Sequence, residues 1–193
     1  MSDQSYALFD TAIATCGIVW SARGVAGVQL PEKDAATTRA RLRRRHPQAQ
    51  EAVPPAQVRL VMDKIMGLLA GELCDLTGVT VDDTAVSEFN RSVYAIARAI
   101  PPGETMTYGE IAERLGDKTL ARAVGQALGE NPTPLIVPCH RVLAANGKSG
   151  GFSAAGGVIT KLRLLSIEGA QPTGPTLFEK LPLAARPRGR GAI

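Results

Sequence analysis

The stretch from Asn131 to Val142, Asn-Pro-Thr-Pro-Leu-Ile-Val-Pro-Cys-His-Arg-Val, constrains the chain more than any other. Its apolar run, Leu135-Ile136-Val137, predicts a short buried strand that delivers Cys139 beside His140 and Arg141. Pro132, Pro134 and Pro138 stiffen the approach, so the cysteine is held in place. A thiol is a nucleophile once ionised, and neighbouring basic groups favour that form. Successive side chains on a strand point to opposite faces. Cys139 and His140 therefore cooperate only if the chain turns there or a water bridges them. The plainer reading of Cys139 is a small buried hydrophobe.

The rest of the sequence bounds what that stretch serves. The chain has 193 residues, 45% hydrophobic and 21% charged, enough for one large or two small cored domains of a water-soluble protein. No apolar run has the length of a membrane span, and Met1-Ser2-Asp3-Gln4 lacks the marks of a signal peptide, so a cytoplasmic address is expected. Three cysteines, Cys16, Cys74 and Cys139, are an odd set that speaks against a disulfide framework. A net charge of +4 permits a nucleic-acid partner without requiring one.

The first half reads as α/β. Strands are expected at Tyr6–Phe9, Gly17–Trp20 and Val25–Leu30, the last two joined by a turn at Arg23-Gly24. Asp34 caps a helix to about Arg45 that carries Arg39, Arg41, Arg43, Arg44 and Arg45, then His46. That run is a phosphate-binding patch or a solvated face. The second is favoured, because no aromatic residues interleave. Pro54-Pro55 opens a helix with Val58, Val61, Met62, Ile65, Met66 and Leu69 on one face and Gly71 as its stop. Gly78–Val81 reads as an edge strand, and Asp82-Asp83-Thr84 as a domain boundary.

The second half reads as mainly helical. Val86, Phe89, Val93, Ile96, Ala97 and Ile100 line a helix that ends at Pro101. Thr107-Tyr108-Gly109-Glu110 is a capping box opening a short helix to Leu115. A turn at Gly116-Asp117-Lys118 leads to a helix from Leu120 to Gly129, capped by Thr119, and the pair outlines a helix-turn-helix. Ala145–Lys148 reads as a hairpin turn, and Gly150–Gly157 as a glycine-rich loop. A last helix carries Val158, Leu162, Leu165 and Ile167, ends in Glu168 and is closed by Gly169. From Gln171 onward the chain is rich in Pro and Gly. Its Arg186-Pro187-Arg188-Gly189-Arg190 is close to an AT-hook core, although a basic tail is the favoured reading.

Pro138-Cys139-His140-Arg141-Val142, with its Asn-Pro-x-Pro lead-in, resembles the active-site signature of the O6-alkylguanine-DNA alkyltransferases. The likeness is close over about residues 88–170. It implies direct, stoichiometric transfer of an alkyl group from O6-alkylguanine in duplex DNA to Cys139, a single-turnover repair with no organic cofactor and no metal. It implies that His140 takes the thiol proton through a water, with Glu168 orienting the imidazole. Without the resemblance, Glu168 is an exposed carboxylate near a helix end.

By the same resemblance Asn131 ties the helix pair to the active-site loop, where a helix C-cap is the other reading. Tyr108 donates to the flipped guanine, Ser153 contacts the damaged base, and Val142 with the Cys139 carbonyl recognises its edge. Arg122, in Ala121-Arg122-Ala123-Val124-Gly125, fills the gap left by the extruded nucleotide, and small Ala121, Ala123 and Gly125 let the helix lie close to DNA. A lone arginine is otherwise a surface charge. The helix-turn-helix is expected in the minor groove, on a chain acting as a monomer, with cooperativity on DNA left open.

The implied organisation is a ribonuclease-H-like α/β domain over 1–82, an alkyltransferase domain over 83–171, and a tail over 172–193. Some relatives bind zinc in the first domain. Cys16, Cys74 and His46 are too sparse here for four ligands, so no structural metal is expected. There are two departures: Ala154-Ala155 lengthen the loop between Ser153 and Gly156-Gly157, which bears on the range of alkyl groups accepted, and Phe152 stands where a tyrosine is common, a replacement read as harmless stacking or packing. Two other functions compete. A lesion-flagging module of this fold would lack the cysteine, and a Cys-His hydrolase would leave the helix-turn-helix unexplained.

Overall fold

Alternation in the first thirty residues builds a sheet covered on both sides. The computed structural model describes residues 3–145 and 149–170. Strands β1 (Ser5–Thr11), β2 (Ala14–Ser21) and β3 (Gly24–Gln29) form an antiparallel meander, and β4 (Gln50–Glu51) adds in parallel beside β1, giving the order β3-β2-β1-β4. Helix α1 (Ala35–Arg45) covers one face, where Leu42 packs with Tyr6, Val19, Ala26 and Ala49. A Cβ on Gly17 would collide with Leu42 Cδ1, so glycine there lets α1 lie close. Helix α2 (Ala56–Leu69) covers the other face, with Val58, Val61, Ile65, Leu68 and Leu69 against Phe9, Cys16, Ile18, Trp20 and Val28.

The caps follow local chemistry. Asp34 accepts from the Thr37 amide at the start of α1. Pro55 occupies the capping position of α2, and Gly71 follows the helix at φ +91°. The expected edge strand at 78–81 is reduced to one bridge, Val81 to Val25. Asp82 is no loose linker. It accepts from Ser21 Oγ at 2.6 Å and from Arg23 Nε at 3.1 Å, and so fastens the boundary segment to the sheet.

The second half is helical. Helix α3 (Glu88–Arg98), capped by Ser87, packs with α4 (Tyr108–Arg114) and α5 (Ala121–Gly129) around Val93, Ala97, Ile111, Ala112 and Val124. Thr107 and Glu110 complete the capping box on α4. Asp117, rather than Thr119, caps the turn that leads into α5, because its carboxylate reaches the Thr119 amide at 2.8 Å. Strand β5 (Met106–Thr107) pairs in parallel with β6 (Val142–Leu143), tying the start of α4 to the chain just past Cys139. Helix α6 (Val158–Ile167) ends at Glu168. It buries Lys161, Leu164 and Leu165, whereas Val158 is 39% exposed and lies off the predicted face.

One expectation fails instructively. Leu135-Ile136-Val137 is a tight turn closed by a Pro134–Val137 bridge, with Leu135 at φ +75°. The left-handed backbone costs a branched residue about 1–2 kcal/mol. Burying the leucine side chain returns about 1.5–3 kcal/mol, and Leu135 and Ile136 are buried in the cluster under the N-terminal sheet. The Val28 amide also donates to the Pro132 carbonyl at 2.8 Å, so β3 holds the approach to Cys139. Asn146, Gly147 and Lys148 of the predicted hairpin turn, and the tail with its AT-hook-like string, lie outside the described residues. No helix among the described residues is long and apolar enough to cross a membrane.

Candidate active site

Cys139 sits at the head of a single 3-10 turn, Cys139–Arg141, and this turn resolves the strand-face difficulty. His140 and Arg141 swing to one side, where both meet Glu168. His140 Nε2 lies 2.9 Å from Glu168 Oε1. Because a carboxylate only accepts, Nε2–H is the donor in this contact, and in the neutral imidazole Nδ1 then carries the lone pair. That Nδ1 is buried with no protein hydrogen-bond partner among the described residues. Arg141 donates from Nε to Glu168 Oε2 at 2.9 Å and from Nη2 to Oε1 at 2.8 Å, and its Nη1 donates to the Ile100 carbonyl. Burial would raise the Glu168 carboxyl. The bonds from His140 and Arg141 overrule it and bring it down to about 2.

The sulfur borders open space. Cys139 is 7% exposed and lines a cavity of about 490 Å³ shared with Tyr108, Ala121, Arg122, Gly125, Phe152 and Ser153. That volume suits one small ligand. Burial raises the Cys139 thiol, and the Asn131 side chain and the charge of Lys161 pull against it. Tyr108 is likewise raised by burial and by the facing sulfur. Gly150, at φ +65°, runs so close to the Tyr108 hydroxyl that a Cβ would sit 2.9 Å from it. A smaller cavity of about 130 Å³, between α3 and residues 81–83, holds none of the candidate residues.

Most of the predicted site converges. Asn131 lies one residue past the C-cap of α5, which is Glu130, so the cap reading falls away. Its Nδ2 donates to the Val137 carbonyl at 2.8 Å and its Oδ1 accepts from the Thr133 amide at 2.9 Å, which fixes the turn before Cys139. Ala121, Arg122 and Gly125 face the cavity, whereas Ala123 is not among its lining residues. Val142 also stands back from it, fully buried in the helical core, with its carbonyl accepting from Lys161 Nζ at 2.5 Å.

Three contributors escaped the sequence reading. Lys161 was hidden because a charged residue on a helix is read as outward-facing. Arg41 and Arg45 were read with the solvated face of α1. Arg39, Arg43, Arg44 and Arg45 do lie exposed, yet Arg45 donates to the Asn131 carbonyl at 3.2 Å and half-buried Arg41 donates to the Ser153 carbonyl at 3.0 Å. Both hold segments of the candidate site from the N-terminal half. Among the described residues no three His, Cys, Asp or Glu side chains cluster as a metal site would require.

Comparison with known proteins bears on this geometry. The family described as 6-O-methylguanine DNA methyltransferase, DNA binding domain, matches residues 88–170. A methylated-DNA–protein-cysteine methyltransferase of Methanothermobacter thermautotrophicus is 34% identical over 158 residues, covering 82% of this chain and 81% of that protein. One from Mycolicibacterium paratuberculosis is 43% identical over 119 residues, 61% of this chain and 70% of its own. The crystal structure of Mycobacterium tuberculosis OGT in complex with DNA superposes with a TM-score of 0.69 at 32% identity, covering 86% of this chain and 92% of that one.

Proposed function

The chain belongs to the methylated-DNA–protein-cysteine methyltransferase family, and on that premise we infer that Cys139 is the residue that takes the alkyl group from O6-alkylguanine in duplex DNA. It is a DNA-repair protein that reverses alkylation by direct transfer to its own cysteine. One observation carries the residue assignment. Cys139 lines a ligand-sized cavity together with Arg122 of α5, and its chain neighbour His140 is paired with Glu168.

The chemistry runs as a displacement. The Cys139 proton passes through a water to Nδ1 of His140, while Nε2–H stays on Glu168. The sulfur attacks the alkyl carbon, a C–S bond forms and the bond from that carbon to O6 breaks. The electron pair goes to guanine, which takes a proton from the Tyr108 hydroxyl, and the proton held on His140 returns through water to the Tyr108 oxygen. A thioether has no route back to thiol in this site, so each chain reacts once.

The target carbon is out of reach in a stacked duplex, so the base must be extruded. α4, the turn at 116–120 and α5 form the helix-turn-helix, with α5 entering the minor groove and Arg122 occupying the vacated stack. Ala121 and Gly125 leave that surface low. The α/β half, 1–82, is ribonuclease-H-like, an assignment supported by its meander with β4 parallel to β1, and 83–171 is the transferase domain. A single chain carries every proposed group, which supports action as a monomer.

Cys139→Ala tests the assignment. The variant is expected to lose all transfer from methylated duplex and to keep its DNA affinity within about twofold, since the sulfur is small and the DNA-facing helix is untouched. Transfer surviving on another residue contradicts it.

A further inference from the structure

Gly151, Phe152 and Ser153 line the same cavity as Cys139. They belong to a glycine-rich segment, yet that segment is anchored along its length. Phe152 packs against both the N-terminal and the helical core, and Ala154 against the N-terminal one. The two alanines that lengthen the loop fold down into a turn. The Ala154 carbonyl accepts from the Gly157 amide at 3.0 Å, and the Ala155 carbonyl accepts from Thr160 Oγ1. Between these anchors Arg41 Nη2 donates to the Ser153 carbonyl at 3.0 Å. Arg41 is itself aimed. Its Nη1 stands 3.1 Å from Glu32 Oε1, and the same oxygen accepts from Gln29 Nε2 at 3.2 Å. Gln29 belongs to β3 and is buried, and the Glu32 amide donates at 3.0 Å to Thr38 Oγ1, on a fully buried residue of α1. The contacts run from the sheet to the cavity wall through one guanidinium, whose planar fork serves a carboxylate and a carbonyl together.

We propose that Arg41 is a positioning residue that sets the range of alkyl groups accepted: by fixing the Ser153 carbonyl from the N-terminal half, it fixes the wall against which the alkylated base is seated. The proposal rests on Cys139 being the acceptor and on the cavity taking the base. A methyl group brings little apolar contact of its own. Its carbon meets the sulfur in line only when the wall seats the base, and a small displacement costs rate steeply. A benzyl group supplies its own contacts against Tyr108 and Phe152, and it gains room when the wall yields. Loosening the strut therefore penalises methyl and spares benzyl.

The test compares single-turnover rates on two duplexes of one sequence, carrying O6-methylguanine or O6-benzylguanine, for wild type, Arg41→Met, Glu32→Gln and the double variant. Extrusion is common to both duplexes and cancels in the ratio of rates. Met keeps an unbranched stem and removes both polar contacts, whereas Gln leaves Arg41 in place and weakens what aims it. Arg41→Met is expected to raise the ratio of benzyl to methyl rates by about fivefold or more. Glu32→Gln should raise it by less, and the double variant no further than Arg41→Met, since Glu32 acts through the arginine. Affinity for unmodified duplex should stay within about twofold of wild type. A folded Arg41→Met variant whose two rates fall together has only lost structure, and overturns the proposal. An unchanged ratio with weakened binding of unmodified duplex also overturns it, by making Arg41 a phosphate contact. If Arg41→Met does not fold, Glu32→Gln decides, and an unshifted ratio there overturns the proposal. Failure of wild type to alkylate Cys139 with either duplex instead strikes the assignment of the acceptor.

Discussion

Glu168 serves two cations at once. One of its oxygens is shared by His140 and Arg141, and the other is taken by Arg141. The folded carboxyl lies at about 2, against about 4.3 in an unfolded chain. The folded value is the lower one, so its contribution to stability is complete above the unfolded value and is lost as pH falls from about 4 toward 2. Glu168→Gln leaves Arg141 buried beside a neutral amide, an expected loss of about 3–5 kcal/mol at neutral pH. Denaturant midpoints should show a gap between the two proteins that narrows on acidification. A gap constant from neutral pH to pH 3 would contradict this account of Glu168. The carboxylate's partners were legible only through the Cys-His-Arg string. Spacing alone leaves Glu168 at a helix end, because the contact that gives it a role spans 28 positions.

Among the elements, α5 and the turn before Cys139 divide the work. α5 presents Arg122 at the cavity with small residues beside it, and the turn is fixed by Asn131 below and by Leu135 in the neighbouring core. Arg122→Ala is expected to slow repair of methylated duplex by about tenfold or more while leaving reaction with free O6-benzylguanine nearly unchanged, since extrusion burdens only the first. Equal effects on the two substrates, compared as single-turnover rates, would remove Arg122 from that role. Helices α1 and α4 were readable because their caps are local: Asp34 and Thr107 with Glu110 sit where short-range chemistry puts them. The run 135–137 misled because its burial comes from the N-terminal layer, and an apolar triplet looks alike in a strand and in a buried turn. The left-handed backbone at Leu135 leaves no sequence mark.

Across the whole molecule, the N-terminal half is a brace for the reactive one. Arg41 and Arg45 grip the Ser153 and Asn131 carbonyls, β3 holds Pro132, and Asp82 locks the crossing between halves. A chain-order reading separates these groups by up to 112 positions, so it sees an arginine-rich helix face and a linker where the fold has a clamp. The clamp holds the Cys139 turn and the loop at Ser153 beside α5, around the cavity that they share, and the claim that unites them is that Cys139 accepts one alkyl group per chain. Mass spectrometry after incubation with excess O6-methylguanine duplex tests it most directly. One methyl group per protein, located on the Cys139 peptide, is the expected result. Methyl release beyond one equivalent, or a methyl on any other residue, would contradict it.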